Sequence, residues 1–319
     1  MNDFRGHLDK TGEIGFVEQI HHSVVYVAGL PSARPGELVL FEEGQIGYVI
    51  GLSEQYIEVL TVSTQAVMPG GSVARTGATL AIPVDNSVMG TEISVTEELA
   101  RVVSGGRTGD AMPVDHIPSS IINRVSITKP LTTGVTLVDL LLPLAKGQRE
   151  LVIGDRKTGK TPFLLRTVNT QLAQGTICVY AAIGKRQSDL ATLREILGTG
   201  KQSILVSSQA SDPAGSVFLT PYIALAVAEY FRDRGQDVLV ILDDLTLHAK
   251  FYREIMLLAK RFPGRNSYPG DIFYVHARML ERAGAFKNGS ISILAVAETA
   301  MGELSGFIQT NLMSITDGH

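Results

Sequence analysis

Glu150-Leu-Val-Ile-Gly-Asp-Arg-Lys-Thr-Gly-Lys-Thr161 is the stretch on which the reading of this chain turns. The apolar run Leu151-Val-Ile153 leads directly into Gly154-Asp-Arg-Lys-Thr-Gly-Lys-Thr161, which fits the phosphate-loop pattern G-x-x-x-x-G-K-[ST] in its required place, after a strand. Its glycines let the backbone turn so that successive N–H groups face a di- or triphosphate, and the N-terminus of the helix that follows adds positive partial charge. Lys160 can reach the terminal phosphates, and Thr161 can ligate magnesium. Arg156, Lys157, Thr158, Gly159, Lys160, Thr161 and Pro162 are therefore the candidate nucleotide-binding residues. Working outward, Ile177-Cys-Val-Tyr180, Ile204-Leu-Val206, Val238-Leu-Val-Ile-Leu242 and Ile291-Ser-Ile-Leu-Ala-Val296 read as further strands, too continuously apolar to have a solvated face. Between strands, Phe163 to Leu172, Pro221 to Phe231 and Phe251 to Phe262 carry apolar residues at three- and four-residue steps, the period of crossover helices. The expected fold is α/β: a mainly parallel sheet with helices on both faces, of the RecA-like phosphate-loop NTPase kind.

Asp237-Val-Leu-Val-Ile-Leu-Asp-Asp244 ends an apolar strand on two carboxylates. Delivered beside a phosphate loop, Asp243 would hold magnesium together with Thr161, usually through water, while Asp244 can cap the next helix. Upstream, Val24-Val-Tyr-Val27, Glu37-Leu-Val-Leu-Phe41, Gly47-Tyr-Val-Ile50, Tyr56-Ile-Glu-Val-Leu60 and Ala78-Thr-Leu-Ala-Ile82 are short runs spaced by about ten residues and separated by Gly/Pro turns, the rhythm of a small barrel. The expected division is a β-barrel over residues 1–90 and a phosphate-loop domain over 91–319. Val103-Ser-Gly-Gly-Arg-Thr-Gly-Asp110, through Pro113 and Pro118, has the composition of a connecting segment.

Composition bounds the function classes. With 28 basic and 32 acidic side chains among 319 residues, the formal charge of −4 supplies no basic field of the kind that holds a protein on a nucleic-acid backbone. The cluster Lys260-Arg-Phe-Pro-Gly-Arg265 does not change that, so no nucleic-acid partner is expected. The single cysteine, Cys178, lies in an apolar run where a buried inert thiol is expected, and it excludes an internal disulfide framework. No apolar run approaches the ~20 residues of a membrane span. Met1-Asn-Asp-Phe-Arg-Gly6 lacks the basic-then-apolar pattern of a secretory signal, which leads us to expect an intracellular chain. His21, His22, His248 and His276 show no metal-ligand spacing and read as structural.

Gly147-Gln-Arg-Glu-Leu-Val-Ile-Gly-Asp-Arg-Lys-Thr-Gly-Lys-Thr161, Glu229-Tyr-Phe-Arg-Asp233, Pro263-Gly-Arg265, Tyr268-Pro-Gly-Asp271, Leu280-Glu-Arg-Ala283 and Ser314-Ile-Thr-Asp-Gly318 closely resemble the alpha subunit of the F-type ATP synthase. The resemblance runs from about Glu13 to the last residue. It implies an N-terminal β-barrel and a nucleotide-binding domain in a subunit that alternates with a catalytic beta-type subunit in a six-membered ring around a central shaft. It further implies binding of ATP or ADP with Mg2+ without turnover, and a cytoplasmic place, peripheral to the membrane through the parent complex.

Several positions depart from that family. Its catalytic members place a water-orienting glutamate after the strand that follows the loop, and its alpha subunits usually place glutamine there. Here Tyr180-Ala-Ala-Ile-Gly-Lys-Arg-Gln-Ser188 puts Lys185 at that place, either to pair with a terminal phosphate or to stand solvated in a polar loop. Lys157 adds a charge inside the loop where glutamine is usual. Pro162 removes a backbone N–H that ordinarily helps hold the alpha-phosphate. Family members also continue past the equivalent of Asp317-Gly-His319 into a helical domain that this sequence is expected to lack. The expectation is a non-catalytic, nucleotide-binding ring subunit. Two alternatives stand beside it: an active ATPase of a related hexameric motor, with Glu195, Glu229 or Glu298 as the working carboxylate, and a structural spacer with little nucleotide binding.

Overall fold

The computed structural model describes residues 4–106, 108–197 and 202–319. The first three residues of the stretch read for a secretory signal, and Arg107 in the expected connecting segment, lie outside the described residues. After the helix Phe4–Thr11 come six strands, β1 (Ile14–His21), β2 (Val24–Ala28), β3 (Glu37–Phe41), β4 (Ile46–Leu52), β5 (Ile57–Thr61) and β6 (Ser72–Thr79). They close into a barrel in the order β1-β2-β5-β4-β3-β6, with β6 returning antiparallel to β1. Alternation along each strand sorts the side chains: Val25, Val39, Val49, Val59 and Val73 fill the barrel. Leu38, Leu40, Tyr48 and Ala74 point outward into the core of the second half of the chain. Both faces of β3 are thereby buried, which is why its sequence reads as a continuous apolar run.

Two sequence expectations are corrected here. The run Ala78 to Ile82 is not one barrel strand. β6 ends at Thr79, and a separate strand, Ala81–Val84, pairs antiparallel with Asp110–Pro113 outside the barrel. The segment read as a linker is partly regular structure: Val103 and Ser104 finish the helix Val95–Ser104, Gly105 closes it in the left-handed region at φ 65°, and Asp110 opens the strand just named. The breakers that suggested a linker include a helix cap.

The expected parallel sheet is present. From one side it runs Arg149–Gly154, Gly289–Glu298, Asp237–Asp243, Ile177–Lys185, Ser203–Gln209 and Glu92–Ser94, all parallel, with Gly284–Phe286 antiparallel against the second. One face buries Leu164, Val168, Leu190 and Leu193 from the helices Lys160–Ala173 and Gln187–Leu197. The other packs on the helix Ala214–Asp233, which is buried along nearly its whole length between sheet and barrel. That helix is long and apolar enough to cross a membrane by composition, yet 94% of the relevant window lies inside the protein, as expected of a core helix. At Gly215 it approaches β5 so closely that a Cβ would stand 2.6 Å from the Thr61 carbonyl oxygen. Cys178 is buried in the sheet, and burial pushes its thiol up to about 12.

The same helix carries a deeply buried ion cluster. Glu229 is 1% exposed and accepts from Arg282 Nε at 3.1 Å and Nη2 at shorter range, from His116 Nε2 at 2.8 Å, and from Arg232 Nη1 at 3.4 Å. Burial alone would raise its carboxyl. The hydrogen bonds from His116 and Arg282 and the Arg282 charge outweigh burial and hold it at about 2. The hydrogen bond to Glu229 in turn raises His116 above the ordinary imidazole range, burial offsetting part of the gain.

Arg282→Met should cost about 3 kcal/mol in urea unfolding at pH 7, the lower end of the range for breaking a buried pair, because His116 and Arg232 stay on Glu229. A loss below about 1 kcal/mol, the level of an exposed pair, would show that the cluster does not act as a buried ion pair. His116 has a raised folded pKa, so its contribution is complete below its unfolded value near 6.5 and is lost as pH climbs through the folded value. Glu229 works at the opposite end: its contribution is present above its unfolded value near 4.5 and falls away toward about 2. Wild-type stability should therefore decline as pH climbs above 6.5 more steeply than that of His116→Gln, and parallel curves would refute the assignment.

Candidate functional site

The strand Arg149–Gly154 delivers the loop to the carboxyl end of the sheet, where parallel α/β sheets bind ligands, and the helix Lys160–Ala173 leaves from it. Gly159 sits at φ 96° as the helix N-cap, a conformation only glycine adopts without strain, and Lys157 at φ 65° is also left-handed. Lys160 folds back over the loop, donating to the carbonyls of Gly154 at 2.7 Å and Asp155 at 2.6 Å. Thr158 Oγ1 donates to Asp155 O at 2.8 Å. Arg156, Lys157, Thr158, Gly159, Thr161 and Pro162 are exposed, so the backbone of the loop and the first turn of the helix face outward. Pro162 is the third residue of that helix, where no intrahelical N–H bond is lost, and the first such bond runs from Phe163 N to Gly159 O at 3.1 Å.

Sequence reasoning did not anticipate how firmly the loop is tied to the end of the neighbouring strand. Asp155 accepts from Thr299 Oγ1 at short range and, through both oxygens, from the Gly302 N–H at 3.0 and 2.9 Å; these bonds lower its carboxyl below the usual range. Arg156 Nε donates to Glu298 Oε2 at 3.0 Å. Beside this tie opens a cleft of about 630 Å³, with Asp155, Arg156, Thr246, Lys250, Tyr268 and Glu298 among its walls. In parallel register Gly154 lies opposite Glu298, a juxtaposition that a separation of 144 positions hides from the sequence.

Asp243 arrives where the sequence expects it, at the end of the central strand and opposite Ala182. Its surroundings were not expected. Tyr180 Oη donates to Asp243 Oδ2 at 2.7 Å, and Lys185 Nζ donates to Asp243 Oδ1 at 2.7 Å while lying 3.8 Å from Asp244 Oδ2. Lys185 is thus not a solvated loop lysine: its side chain is 20% exposed and lodged between two buried carboxylates. The register of its strand shifts between Ala182 and Lys185, and Gly184 takes φ 57°, an irregularity that redirects the strand end toward the carboxylates. Burial would lower the ammonium pKa, but the charges of Asp243 and Asp244 reverse this and raise it. Asp244 also caps the next helix, accepting from Leu247 N at 2.6 Å, and burial pushes its carboxyl up to about 6 against the pull of Lys185. Of the remaining candidates, Glu229 is locked in its ion cluster, and Glu195 lies exposed on the helix Gln187–Leu197. His248 and His276, 28 residues apart in sequence, meet at 3.3 Å in the core, where burial drives both toward the neutral form.

A family model described as the ATP synthase alpha/beta family, nucleotide-binding domain, matches residues 134–319. The chain belongs to that family. Its relatives include proteins called ATP synthase subunit alpha 2 from Syntrophus aciditrophicus, 39% identical over 317 residues, from Burkholderia thailandensis, 42% over 316, and from Gluconobacter oxydans, 40% over 320. The alignments cover 96%, 96% and 97% of this chain and 60%, 56% and 62% of the respective relatives. The chain thus spans somewhat more than half the length of these relatives. Within the family frame the barrel, the parallel sheet and the loop are the expected parts. Lys185 on Asp243 is the local feature that sequence reading left open.

Asp155→Ala should release the Gly302 amide while leaving that of Thr299, which donates to Gly154 O at 3.1 Å, in place. Amide hydrogen exchange should therefore quicken roughly tenfold or more at Gly302 alone. Equal acceleration at both, or at neither, would show that the carboxylate does not make the tie.

Proposed function

We propose that this chain is a non-catalytic nucleotide-binding subunit of the alpha type, which takes its place with a beta-type catalytic subunit around the central shaft of a rotary F-type ATPase. Residues 1–90 serve as its barrel and 91–319 as its nucleotide domain. The ring stands at the cytoplasmic surface, joined to the membrane only through the complex. The observation that carries the reading is a phosphate loop of full pattern at the carboxyl end of a parallel sheet, with Lys185 bonded to Asp243 where catalytic members place a water-orienting glutamate. ATP or ADP would be gripped by its phosphates. The backbone of Arg156, Lys157, Thr158, Gly159 and Thr161 supplies N–H groups, the helix N-terminus adds its dipole, and Lys160 supplies the charge by leaving the two carbonyls it now bonds. Lys157 adds a second cation at the rim of the loop.

Thr161 and Asp243 as a magnesium pair fit this site poorly, because both oxygens of Asp243 already accept from charged or hydroxyl donors. Lys185, at the place of the water-orienting glutamate, cannot serve as a base, since an ammonium group cannot accept the proton, and Glu298 on the cleft wall is taken up by Arg156. Catalysis in related phosphate-loop enzymes further draws on an arginine supplied across an interface, worth ~10³–10⁵ in rate.

Two measurements test the reading. Calorimetric titration of ATP should show binding that disappears in Lys160→Ala, while steady-state hydrolysis stays far below about 1 s⁻¹, the floor of typical turnover numbers. Turnover above that level that vanishes in Lys160→Ala would overturn the non-catalytic assignment, and absent binding would leave a structural spacer. Because Pro162 withholds one N–H from the phosphates, Pro162→Ala should bind ATP about tenfold or more tightly than wild type, the value of a restored bond to a charged group. Unchanged affinity would show that this position does not reach the ligand.

A further inference from the structure

We infer that Lys185 stands in for the divalent cation of this nucleotide site, so that the chain binds free ATP or ADP without requiring magnesium. The inference rests on the phosphate-loop site proposed above and concerns how its charge is balanced. In phosphate-loop proteins the strand-end aspartate holds the metal, usually through water, and the metal bridges the terminal phosphates. In this chain that aspartate is Asp243, 5% exposed, and the atom at hydrogen-bond distance from its Oδ1 is the Lys185 ammonium. Its Oδ2 is taken by the buried Tyr180 hydroxyl. A hydrated dication brought to Asp243 would have to displace Lys185, stripping Asp243 and the neighbouring Asp244 of their neutralising partner, or sit against a like charge.

The charges around the group are consistent with this substitution. Lys185 faces Asp243 and Asp244, Glu298 lies within electrostatic reach, and Arg156 takes Glu298 as its own partner. An ammonium has three donors. One is used at 2.7 Å on Asp243, with a second carboxylate at 3.8 Å, so donor capacity remains for a phosphate oxygen. Lys157 and Lys160 add two cations on the loop side. Free ATP carries more negative charge than its magnesium complex, and a site with a built-in cation at the metal's place is the better match for the free form. The lysine is held there by buried partners on two strands, with Tyr180 and Lys185 on one and Asp243 on the other, rather than by a mobile surface contact.

The test is titration of ATP into the full chain in EDTA and again in excess magnesium, read by calorimetry. Wild-type affinities in the two conditions should agree within about threefold, whereas Lys185→Gln should bind at least about tenfold more tightly with magnesium than with EDTA. Wild-type binding that is tenfold or more stronger with magnesium overturns the inference, and that arm needs no variant. A second readout separates this idea from the nucleotide-site reading. Without nucleotide, millimolar magnesium should raise the melting temperature of Lys185→Gln, whose two carboxylates have lost their cation, and leave wild type unmoved. If no nucleotide binds under either condition, the nucleotide-site reading fails. The melting curves then decide the role of Lys185 alone: a magnesium shift confined to the variant supports it, and equal behaviour of the two proteins overturns it.

Discussion

A single helix, Ala214–Asp233, sets the constraint that orders this molecule. Twenty residues with almost no solvated face have to be covered on every side, and no single layer does that. The sheet covers one side and the outward residues of the barrel cover much of the other, so two units of different topology share one continuous core. The close approach at Gly215, the hydroxyl of Ser216 donating to Val62 O at 3.0 Å, and the buried Glu229 cluster near the far end all follow from that placement. The strands against that helix include Asp237–Asp243 and Ile177–Lys185, whose ends bring Asp243 and Lys185 together. The placement of these strand ends follows from the packing beneath them.

Within the site, both lysines of consequence are already engaged by the protein, and with different acceptors. Lys160 bonds neutral carbonyls of its own loop, partners that a polyphosphate can readily outcompete. Lys185 bonds buried carboxylates, partners it does not readily leave, because each would remain charged in a poorly solvated place. One lysine is therefore a ligand-responsive group and the other a fixed part of the framework. The same residue type plays two roles because its acceptors differ in charge.

Much of the architecture was legible in the residues. The apolar runs at 151–153, 177–180, 204–206, 238–242 and 291–296 all lie in strands of one parallel sheet, and the loop pattern lies between strand and helix. The failures have physical causes. The stretch read as a helix from Phe251 to Phe262 is helical only within Leu245–Leu258, and Phe262, on the expected apolar stripe, is 96% exposed; it precedes Pro263, which disfavours the helical region for the residue before it. Pro221 suggested a helix start, yet the helix begins seven residues earlier and carries the proline inside. Asp243 was readable as a strand-end carboxylate. Its partner was not, because 58 residues separate it from Lys185 and a register shift, invisible to any periodicity, turns the lysine inward. Contacts between strand ends are a property of sheet order, and sheet order is the part of the fold that local pattern carries least.

The strand Glu92–Ser94 closes one side of the sheet with only three residues, pinned there by Glu92, which accepts from Arg194 Nε at 2.5 Å and from Ser207 Oγ at 2.6 Å. It belongs in sequence to the stretch just after the barrel, in a region whose composition hardly marks it. Anyone excising the nucleotide domain for separate study would be tempted to cut after it, at the glycines following the helix Val95–Ser104. Such a cut would leave the buried, apolar strand Ser203–Gln209 as an open edge, a template for pairing with other chains. The working boundary of the domain is thus set by sheet protection rather than by loop composition, and a fragment that keeps Glu92–Ser94 retains a cover for that edge.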